Sequence, residues 1–121
     1  MLTKISLISL LFLPISQGIK INPDAKVLYG NENNCTCPAT VDYAKVKKST
    51  QEWKTIRSEG VQPGTARYTL LISKMERRIC SVVASYAKES GLDCVVKEKD
   101  LKDSNGLNVV DATKSICEKV K

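Results

Sequence analysis

The chain has 121 residues, and its 19 lysines and arginines exceed its 13 aspartates and glutamates, giving a formal net charge of +6. This length allows one domain, and the basic balance favours anionic surfaces or acidic partners. Because the sequence contains no histidine, a histidine general base and histidine metal ligands are both excluded.

The first 18 residues have the three-part pattern of a secretory signal peptide. "MLTK" is a short basic start, "ISLISLLFLPIS" is an apolar core, and Ser16 and Gly18 are small residues before a cleavage site. The apolar run is too short for an uncleaved anchor, since a membrane span needs about 20 residues. We therefore expect cleavage between Gly18 and Ile19, which leaves a periplasmic or secreted chain with 18 basic and 13 acidic residues.

Five cysteines follow the signal peptide and are candidates for disulfide bonds: Cys35, Cys37, Cys80, Cys94 and Cys117. In an oxidising compartment the odd number leaves at least one thiol unpaired or linked to another chain, and the spacing does not determine the pairing. The alternative for the last three is that they are small buried hydrophobes. "CTC" lacks the C-x-x-C spacing of thioredoxin-like redox sites, and we expect no βαβ unit around it. We also expect no metal and no cofactor, because no zinc-ligand spacing is present.

The segment from residue 19 to 38 contains proline, glycine and four asparagines without a regular period. This composition predicts an irregular N-terminal extension, with at most a short strand at "KVLYG". From residue 39, a short strand is expected to lead into Asp42, a suitable helix N-cap. The helical spacing of Tyr43, Val46, Thr50, Trp53 and Ile56 then predicts one helix over 43–59.

A second and longer helix is predicted over about 66–89, after the turn "VQPGT". Thr65 is a suitable N-cap, an apolar stripe runs from Tyr68 to Tyr86, and Gly91 is suited to end the helix. Because a short Pro-Gly turn joins the two amphipathic helices, we expect them to pack as an antiparallel hairpin.

The last part of the chain predicts short strands and one more helix. "LDCVV" and "LNVV" are expected to be strands, the charged run "KEKDLKDSNG" a solvated connection, and Asp111 the cap of a final helix. The resulting order predicts an α+β fold with a small β-sheet body, an antiparallel helical hairpin and a C-terminal helix.

Catalysis and nucleic-acid binding are both disfavoured by the sequence. Asp100 and Asp103 lie in a polar segment, and no serine or cysteine has a histidine to act as its base. No nucleic-acid recognition motif is present, and an exported chain seldom meets nucleic acid. We expect a protein that is not an enzyme.

Two segments of the chain resemble the Skp/OmpH family of periplasmic chaperones. "TVDYAKVKKSTQEWK" is similar to that family's strand followed by a V-D-x-x-K-V helix start. "LISKMERRICSVVASYAKESGLDCVVKEKDLKDSNGLNVVDATKSICEKVK" is similar to its basic helix, D-x-V-V strand, loop and closing helix, with Cys94 where the family usually has a buried aliphatic residue. On this resemblance, residues 39–121 form a Skp/OmpH-like domain.

The resemblance implies a homotrimer whose sheets form a central body and whose helical arms hold unfolded outer-membrane proteins. The expected function is an exported chaperone-like holdase for unfolded envelope or outer-membrane proteins. The chain departs from the family in one respect, because "VQPGT" stands where the family inserts a long coiled-coil arm. Its arms would therefore be short.

The hypothesis assigns three sets of residues. The first set is an apolar seam that would bind the client or join the two helices of the hairpin: Tyr43, Trp53, Tyr68, Leu71 and Ile72. The second is a basic stripe that suits acidic client segments or an anionic membrane surface: Arg67, Lys74 and Arg78. The third is the oligomer interface: Val41, Val95 and Val96. The plainer interpretations are that Trp53 is core packing and that the stripe is the solvated side of a helix. The alternative function is a disulfide-stabilised secreted binding protein, a monomer or covalent dimer without chaperone activity.

Overall fold

The computed structural model describes residues 18–121, so the signal peptide predicted over 1–18 lies almost wholly outside the described residues. The elements are β1 (Lys20–Ile21), β2 (Tyr29–Gly30), β3 (Pro38–Val41), α1 (Tyr43–Lys48), α2 (Gln51–Glu59), α3 (Ala66–Ser90), β4 (Cys94–Lys97), β5 (Leu101–Asp103), β6 (Val110–Asp111) and α4 (Thr113–Lys119). Short 3-10 turns occupy Glu32–Asn34 and Glu98–Asp100. This content confirms the predicted α+β class.

The main sheet has four strands in the order β2-β4-β3-β6. β3 is parallel to both β4 and β6, with Ala39 opposite Val95 on one side and Val110 on the other, whereas β2 is antiparallel to β4. Parallel neighbours need a crossover connection, which α1, α2 and α3 supply between β3 and β4. A βαβ unit therefore begins directly after "CTC", which corrects the expectation that none surrounds this motif.

Both faces of the sheet are covered, and the central strand β3 is buried along its whole length. The helices cover one face, where Val41, Val83, Val95 and Ile116 belong to the main core cluster. The N-terminal extension and the segment after β4 cover the other face with a second cluster, which contains Ile19, Cys35, Cys94 and Val96, with Ile21, Val27, Leu101 and Leu107 packed against it. Successive β4 side chains point to opposite faces, so Val95 joins one cluster and its neighbours the other.

Most helix ends follow the local signals in the sequence, but the predicted cap Asp111 lies in β6, and α4 begins after Ala112 without a side-chain cap. Asp42 accepts a hydrogen bond from the Lys45 N–H at the start of α1, and Thr65 accepts one from the Tyr68 N–H at the start of α3. Gly60 and Gly91 end α2 and α3 with φ of 63° and 72°, the left-handed conformation that favours glycine. The predicted long helix is confirmed to within one residue at its C-terminal end.

The single helix predicted over 43–59 is wrong, because the structure divides it into α1 and α2. Thr50 has extended backbone angles (φ −80°, ψ 153°), and its hydroxyl accepts from the Trp53 N–H at 3.2 Å while donating to the Lys47 carbonyl at 2.7 Å. A threonine side chain that bonds to nearby backbone competes with the helical pattern and favours a new N-terminus.

A second sheet, in which β1 pairs with β5 in antiparallel orientation, is not predicted by the sequence pattern. β5 lies inside the charged run that was expected to be only a solvated connection. Leu101 explains the strand, because it packs on the second core cluster while Lys102 and Asp103 remain exposed. β2 falls within "KVLYG", as expected.

Within residues 18–121, no helix has the length and apolar character that crossing a membrane requires.

Candidate functional site

The helical hairpin is formed by α2 and the first half of α3, which run antiparallel. Ile56 of α2 is buried, and two ion pairs join the helices, Glu59 with Arg67 near the tip and Glu52 with Arg78 nearer the sheet. Trp53, Ile72 and Tyr43 pack against the main core at the base of the hairpin. Short turns and paired side chains therefore hold the two helices at a fixed separation.

The five predicted seam residues are all partly buried, but they do not form one continuous patch. The three at the base contact the core, as the plainer interpretation of Trp53 expects. Tyr68 and Leu71 lie towards the tip, beyond the main core cluster. Leu70, which is 53% exposed and which the apolar pattern does not single out, is on the other side of α3, about 160° around the helix from Tyr68. The apolar side chains of the hairpin tip that reach solvent are thus Tyr68, Leu70 and Leu71, spread around α3, and we call this set the tip patch.

Two of the three residues of the basic stripe are engaged by carboxylates. Arg78 donates from Nε and Nη2 to the two carboxylate oxygens of Glu52, at 3.0 and 2.8 Å, and Arg67 pairs with Glu59. Lys74 is exposed and makes no salt bridge among residues 18–121. The stripe therefore helps to join the hairpin, and Lys74 is its free cation.

Glu52 is a buried carboxylate that the sequence analysis did not consider, with only 8% of its surface exposed. The hydrogen bonds from Arg78 lower the pKa of Glu52, although burial opposes them. The sequence does indicate that Glu52 is buried, because Glu52 lies four residues before Ile56 and so shares the inner face of α2. An acid on an apolar helix face indicates a cation on the facing helix.

The hairpin carries much of the excess positive charge of residues 19–121. Residues 51–78 contain six lysines and arginines against three glutamates, a net charge of +3, whereas residues 19–121 as a whole carry +5. Such a local excess attracts acidic segments and anionic surfaces, and salt weakens the attraction.

The oligomer interface predicted at Val41, Val95 and Val96 is corrected by the structure. All three side chains are fully buried within a single chain. Val41 and Val95 lie under the helices, and Val96 lies under the N-terminal extension. The extension covers the sheet face on which Val96 lies.

The cysteines divide into one disulfide and three free thiols. Cys35 and Cys94 are bonded, with their Cα atoms 5.6 Å apart, which ties the extension to β4. Cys37 and Cys80 are exposed, and Cys117 is partly buried. Cys35, Asp93 and Cys94 place ligand atoms within 4.8 Å of one another, but sulfurs bonded to each other offer no thiolate to a metal.

Asp93 organises the backbone around this disulfide. Its carboxylate accepts from the Thr36 hydroxyl at 2.7 Å, from the Thr36 N–H at 2.8 Å and from the Cys37 N–H at 2.8 Å. Burial alone would raise the pKa of Asp93, but these hydrogen bonds outweigh it and lower the pKa. The carboxylate therefore stays ionised and holds the C-x-C segment against the start of β4.

A cleft of about 660 Å³ lies between the N-terminal extension and the helices. Residues 22–28 form one wall, and Tyr43, Glu76, Cys80 and Lys97 form the other. The Lys97 ammonium sits 4.3 Å from the centre of the Tyr43 ring, a cation–π contact. Burial, with the nearby Glu76, raises the pKa of Tyr43, which stays neutral.

Comparison of the chain with protein-family models, with curated proteins and with solved structures finds no match in any of the three. The resemblance to the Skp/OmpH family therefore rests on the two sequence segments alone.

Proposed function

We propose that the protein is an exported chaperone-like holdase that binds unfolded envelope or outer-membrane polypeptides along its helical hairpin. The observation that carries this proposal is the tip patch, where Leu70 is 53% exposed and Tyr68 and Leu71 are partly exposed, on a hairpin with a net charge of +3. Exposed apolar side chains among basic residues offer contacts to an unfolded chain that lies along the hairpin.

The client chemistry follows from the charge and from the shape of the hairpin. Unfolded chains expose apolar side chains, and those with acidic segments are attracted to a hairpin of net charge +3. A protein that binds unfolded chains without sequence preference delays their aggregation. Because the hairpin ends at "VQPGT", the proposed binding surface is open and does not enclose the client.

Kinship to the Skp/OmpH family and trimeric assembly belong to the same proposal. A trimer of this chain needs a contact surface other than Val41, Val95 and Val96, since these are buried within one protomer. Contacts by the outer surfaces of the hairpins satisfy that requirement without exposing the core.

Equilibrium binding of an unfolded client tests the proposal directly. A dye-labelled, urea-unfolded β-barrel protein with acidic segments is diluted into residues 19–121, and its fluorescence anisotropy is followed at low and at high salt. We expect saturable binding that weakens as salt rises, because exposed charges are screened.

A matched pair of charge reversals locates the binding surface. Lys74→Glu changes an exposed lysine of the hairpin, and Lys114→Glu changes an exposed lysine of α4. We expect the first to weaken binding about three- to tenfold and the second by less than about twofold, because screened attraction falls with distance. Equal effects, or no binding by the unmodified protein, would contradict the proposal.

A second candidate is a disulfide-stabilised secreted binding protein without chaperone activity. The observation that favours it is the Cys35–Cys94 bond together with the 660 Å³ cleft, in whose wall the free Cys80 lies. Non-reducing electrophoresis of residues 19–121 separates the two candidates. A dimer band that reductant removes favours this one, and free thiols throughout remove the support for a covalent dimer.

A further inference from the structure

Two segments that are far apart in the sequence bring three metal-ligand side chains together beside the main sheet. Cys35 belongs to the N-terminal extension, Asp93 precedes β4, and Cys94 is its first residue. Their two sulfurs and one carboxylate oxygen all lie within 4.8 Å of one another. Thiolates and carboxylates are both ligands of zinc in proteins. Because the Cys35–Cys94 bond occupies both sulfurs, this ligand set becomes complete only when that bond is reduced.

The separations of these atoms suit a tetrahedral zinc ion. With Zn–S bonds of about 2.3 Å and a Zn–O bond of about 2.0 Å, two sulfurs lie about 3.8 Å apart and a sulfur and an oxygen about 3.5 Å apart. The oxygen of Asp93 lies 3.3 Å from Sγ of Cys35, which is close to the second value. The Cα atoms of Cys35 and Cys94 are 5.6 Å apart, so rotation of the reduced side chains can separate the sulfurs to the first value.

Contacts that do not involve sulfur hold the two segments together. The Asp93 N–H donates to the Cys37 carbonyl at 3.2 Å, and the Asp93 carboxylate accepts from the Thr36 hydroxyl at 2.7 Å and from the Cys37 N–H at 2.8 Å. The strand pairing continues from there, with Pro38 opposite Cys94. These bonds keep the ligand residues in place after reduction, and they orient the carboxylate as the outer partners of metal ligands do.

We propose that the reduced chain binds one Zn²⁺ ion through Cys35, Cys94 and Asp93, and that this ion then joins the extension to β4 in place of the disulfide. A dithiol gives two electrons and two protons to the Cys35–Cys94 bond, which becomes two thiols, and the dithiol closes to a cyclic disulfide. On binding Zn²⁺, both thiols lose their protons to water. Two thiolates, one carboxylate and one water molecule complete the four-coordinate site.

Oxidation reverses the binding. A small disulfide takes two electrons from the two thiolates and, with two protons from water, becomes two thiols. The Cys35–Cys94 bond forms and the ion is released, because bonded sulfurs no longer act as thiolate ligands. The zinc ion and the disulfide are therefore alternative links between the same two segments.

The burial of the ligands favours a closed site with access from one side. Cys35 and Cys94 are 1% and 0% exposed, whereas Asp93 is partly exposed and Thr36 beside it is exposed. An ion therefore enters past the carboxylate and is bound by sulfurs that water does not reach. Two thiolates and a carboxylate carry three negative charges, which a dipositive ion largely offsets.

Zinc titration of a variant with only two cysteines tests the proposal. Cys37→Ser, Cys80→Ser and Cys117→Ala together remove the three thiols that lie outside the ligand set. Residues 19–121 of this variant are reduced with dithiothreitol, freed of the reagent without air and titrated with Zn²⁺ against a chromophoric chelator. We expect one ion per chain with a Kd below about 1 μM, and no binding once the disulfide is restored. Failure of the reduced variant to bind, or equal binding by the oxidised form, would overturn the proposal.

A matched pair of substitutions in the same background tests the carboxylate ligand. We expect Asp93→Asn to weaken zinc binding at least about tenfold, since loss of even an outer partner of a metal ligand costs about 10- to 100-fold in affinity. Asp24→Asn, at an exposed position of the extension, is the control and should change the affinity by less than about twofold. Equal affinities in the two variants would exclude Asp93 as a ligand and overturn the proposed site.

Two further measurements keep the proposal testable if Asp93→Asn loosens the fold. In the reduced two-cysteine variant, Co²⁺ should give the visible bands of a tetrahedral site and a thiolate-to-cobalt charge-transfer band, both of which Zn²⁺ removes. In the unmodified protein, Zn²⁺ should raise the Tm of the reduced chain and leave that of the oxidised chain unchanged. A cobalt spectrum without the charge-transfer band, or a reduced chain whose Tm does not respond to Zn²⁺, would overturn the proposal.

Discussion

At the scale of single residues, the Glu52–Arg78 pair is the strongest polar link within the hairpin. Both carboxylate oxygens of Glu52 are engaged, and the Glu52 side chain is 9% exposed, whereas that of Arg78 is 43% exposed. Bidentate charged hydrogen bonds are stronger than neutral ones, and partial exposure of the arginine reduces their net contribution. The pair therefore stabilises the hairpin by more than the exposed Glu59–Arg67 pair does.

Replacing Glu52 tests this comparison. We expect Glu52→Gln to lower the free energy of unfolding by about 1–2 kcal/mol, because the amide keeps the size of the side chain but replaces one of the two acceptor oxygens with an NH2 group that cannot accept from Arg78. The matched change Glu59→Gln should cost less than about 0.5 kcal/mol, since both partners there are about half exposed. Urea denaturation of residues 19–121 measures both values, and equal costs would show that the buried pair has no special role.

The carboxylates with lowered pKa predict how stability depends on pH. Asp93 and Glu52 have folded-state pKa values below their ordinary values, so in acid they remain ionised in the folded chain while the unfolded chain binds protons. Their contribution is fully present above the ordinary pKa range, near pH 4–4.5, and is lost as pH falls through the lower folded values. We expect stability to change little between pH 7 and about pH 5 and then to fall.

Asp93→Asn isolates one part of this acid response. The variant should be less stable than the unmodified protein at neutral pH, and the difference should shrink as pH falls below 3.8, the ordinary value for an aspartate. Urea denaturation at a series of pH values measures it. A difference that stays constant from neutral to acid pH would mean that Asp93 does not titrate with a lowered pKa.

At the scale of secondary-structure elements, the break between α1 and α2 depends on one hydroxyl. We expect Thr50→Ala to lower the free energy of unfolding by about 1 kcal/mol, because the first turn of α2 loses its cap. Thr69→Ala, at an exposed non-cap position of α3, is the control and should change stability by less than about 0.5 kcal/mol. Thermal or urea unfolding measures the two variants. Equal effects would mean that the N-cap at Thr50 contributes nothing.

The elements that local signals specify were predictable from the sequence. Asp42, Thr65, Gly60 and Gly91 mark helix ends through interactions with residues three or four positions away, and the structure has helix ends at each. Thr50 was assigned to the apolar stripe on its spacing, although its hydroxyl also caps a helix. When one residue supports two local structures, packing decides between them.

The pairings that depend on distant residues were not predictable. β1 pairs with β5 across about 80 residues, and two- or three-residue strands with charged side chains give no periodic signal. The same holds for the candidate site. The spacing identified the residues of the seam and the stripe. The burial of Val96 could not be predicted, because it depends on where the extension packs. The ion pair of Glu52 could not be predicted either, because it depends on Arg78 lying opposite it on α3.

At the scale of the whole molecule, the extension changes what the sheet can do. It covers one sheet face with the second core cluster and is tied to β4 by the Cys35–Cys94 bond. Because the extension is held on the sheet in this way, that face is not open to a partner. The hairpin, in contrast, has exposed apolar side chains at its tip and an excess of positive charge. The fold therefore separates a closed body from an open, basic hairpin, and the proposed client surface is on the hairpin.

Suppression of aggregation tests this account most directly. A urea-unfolded β-barrel outer-membrane protein is diluted at low salt with residues 19–121, and light scattering is followed for the unmodified protein, Leu70→Ser and Val110→Ser. Leu70 and Val110 are 53% and 44% exposed, so neither substitution disturbs the core, but only Leu70 belongs to the tip patch. We predict that the unmodified protein and Val110→Ser slow the rise in scattering and that Leu70→Ser loses most of this effect. Scattering that rises at the same rate with and without the unmodified protein, or an equal loss in both variants, would contradict the account.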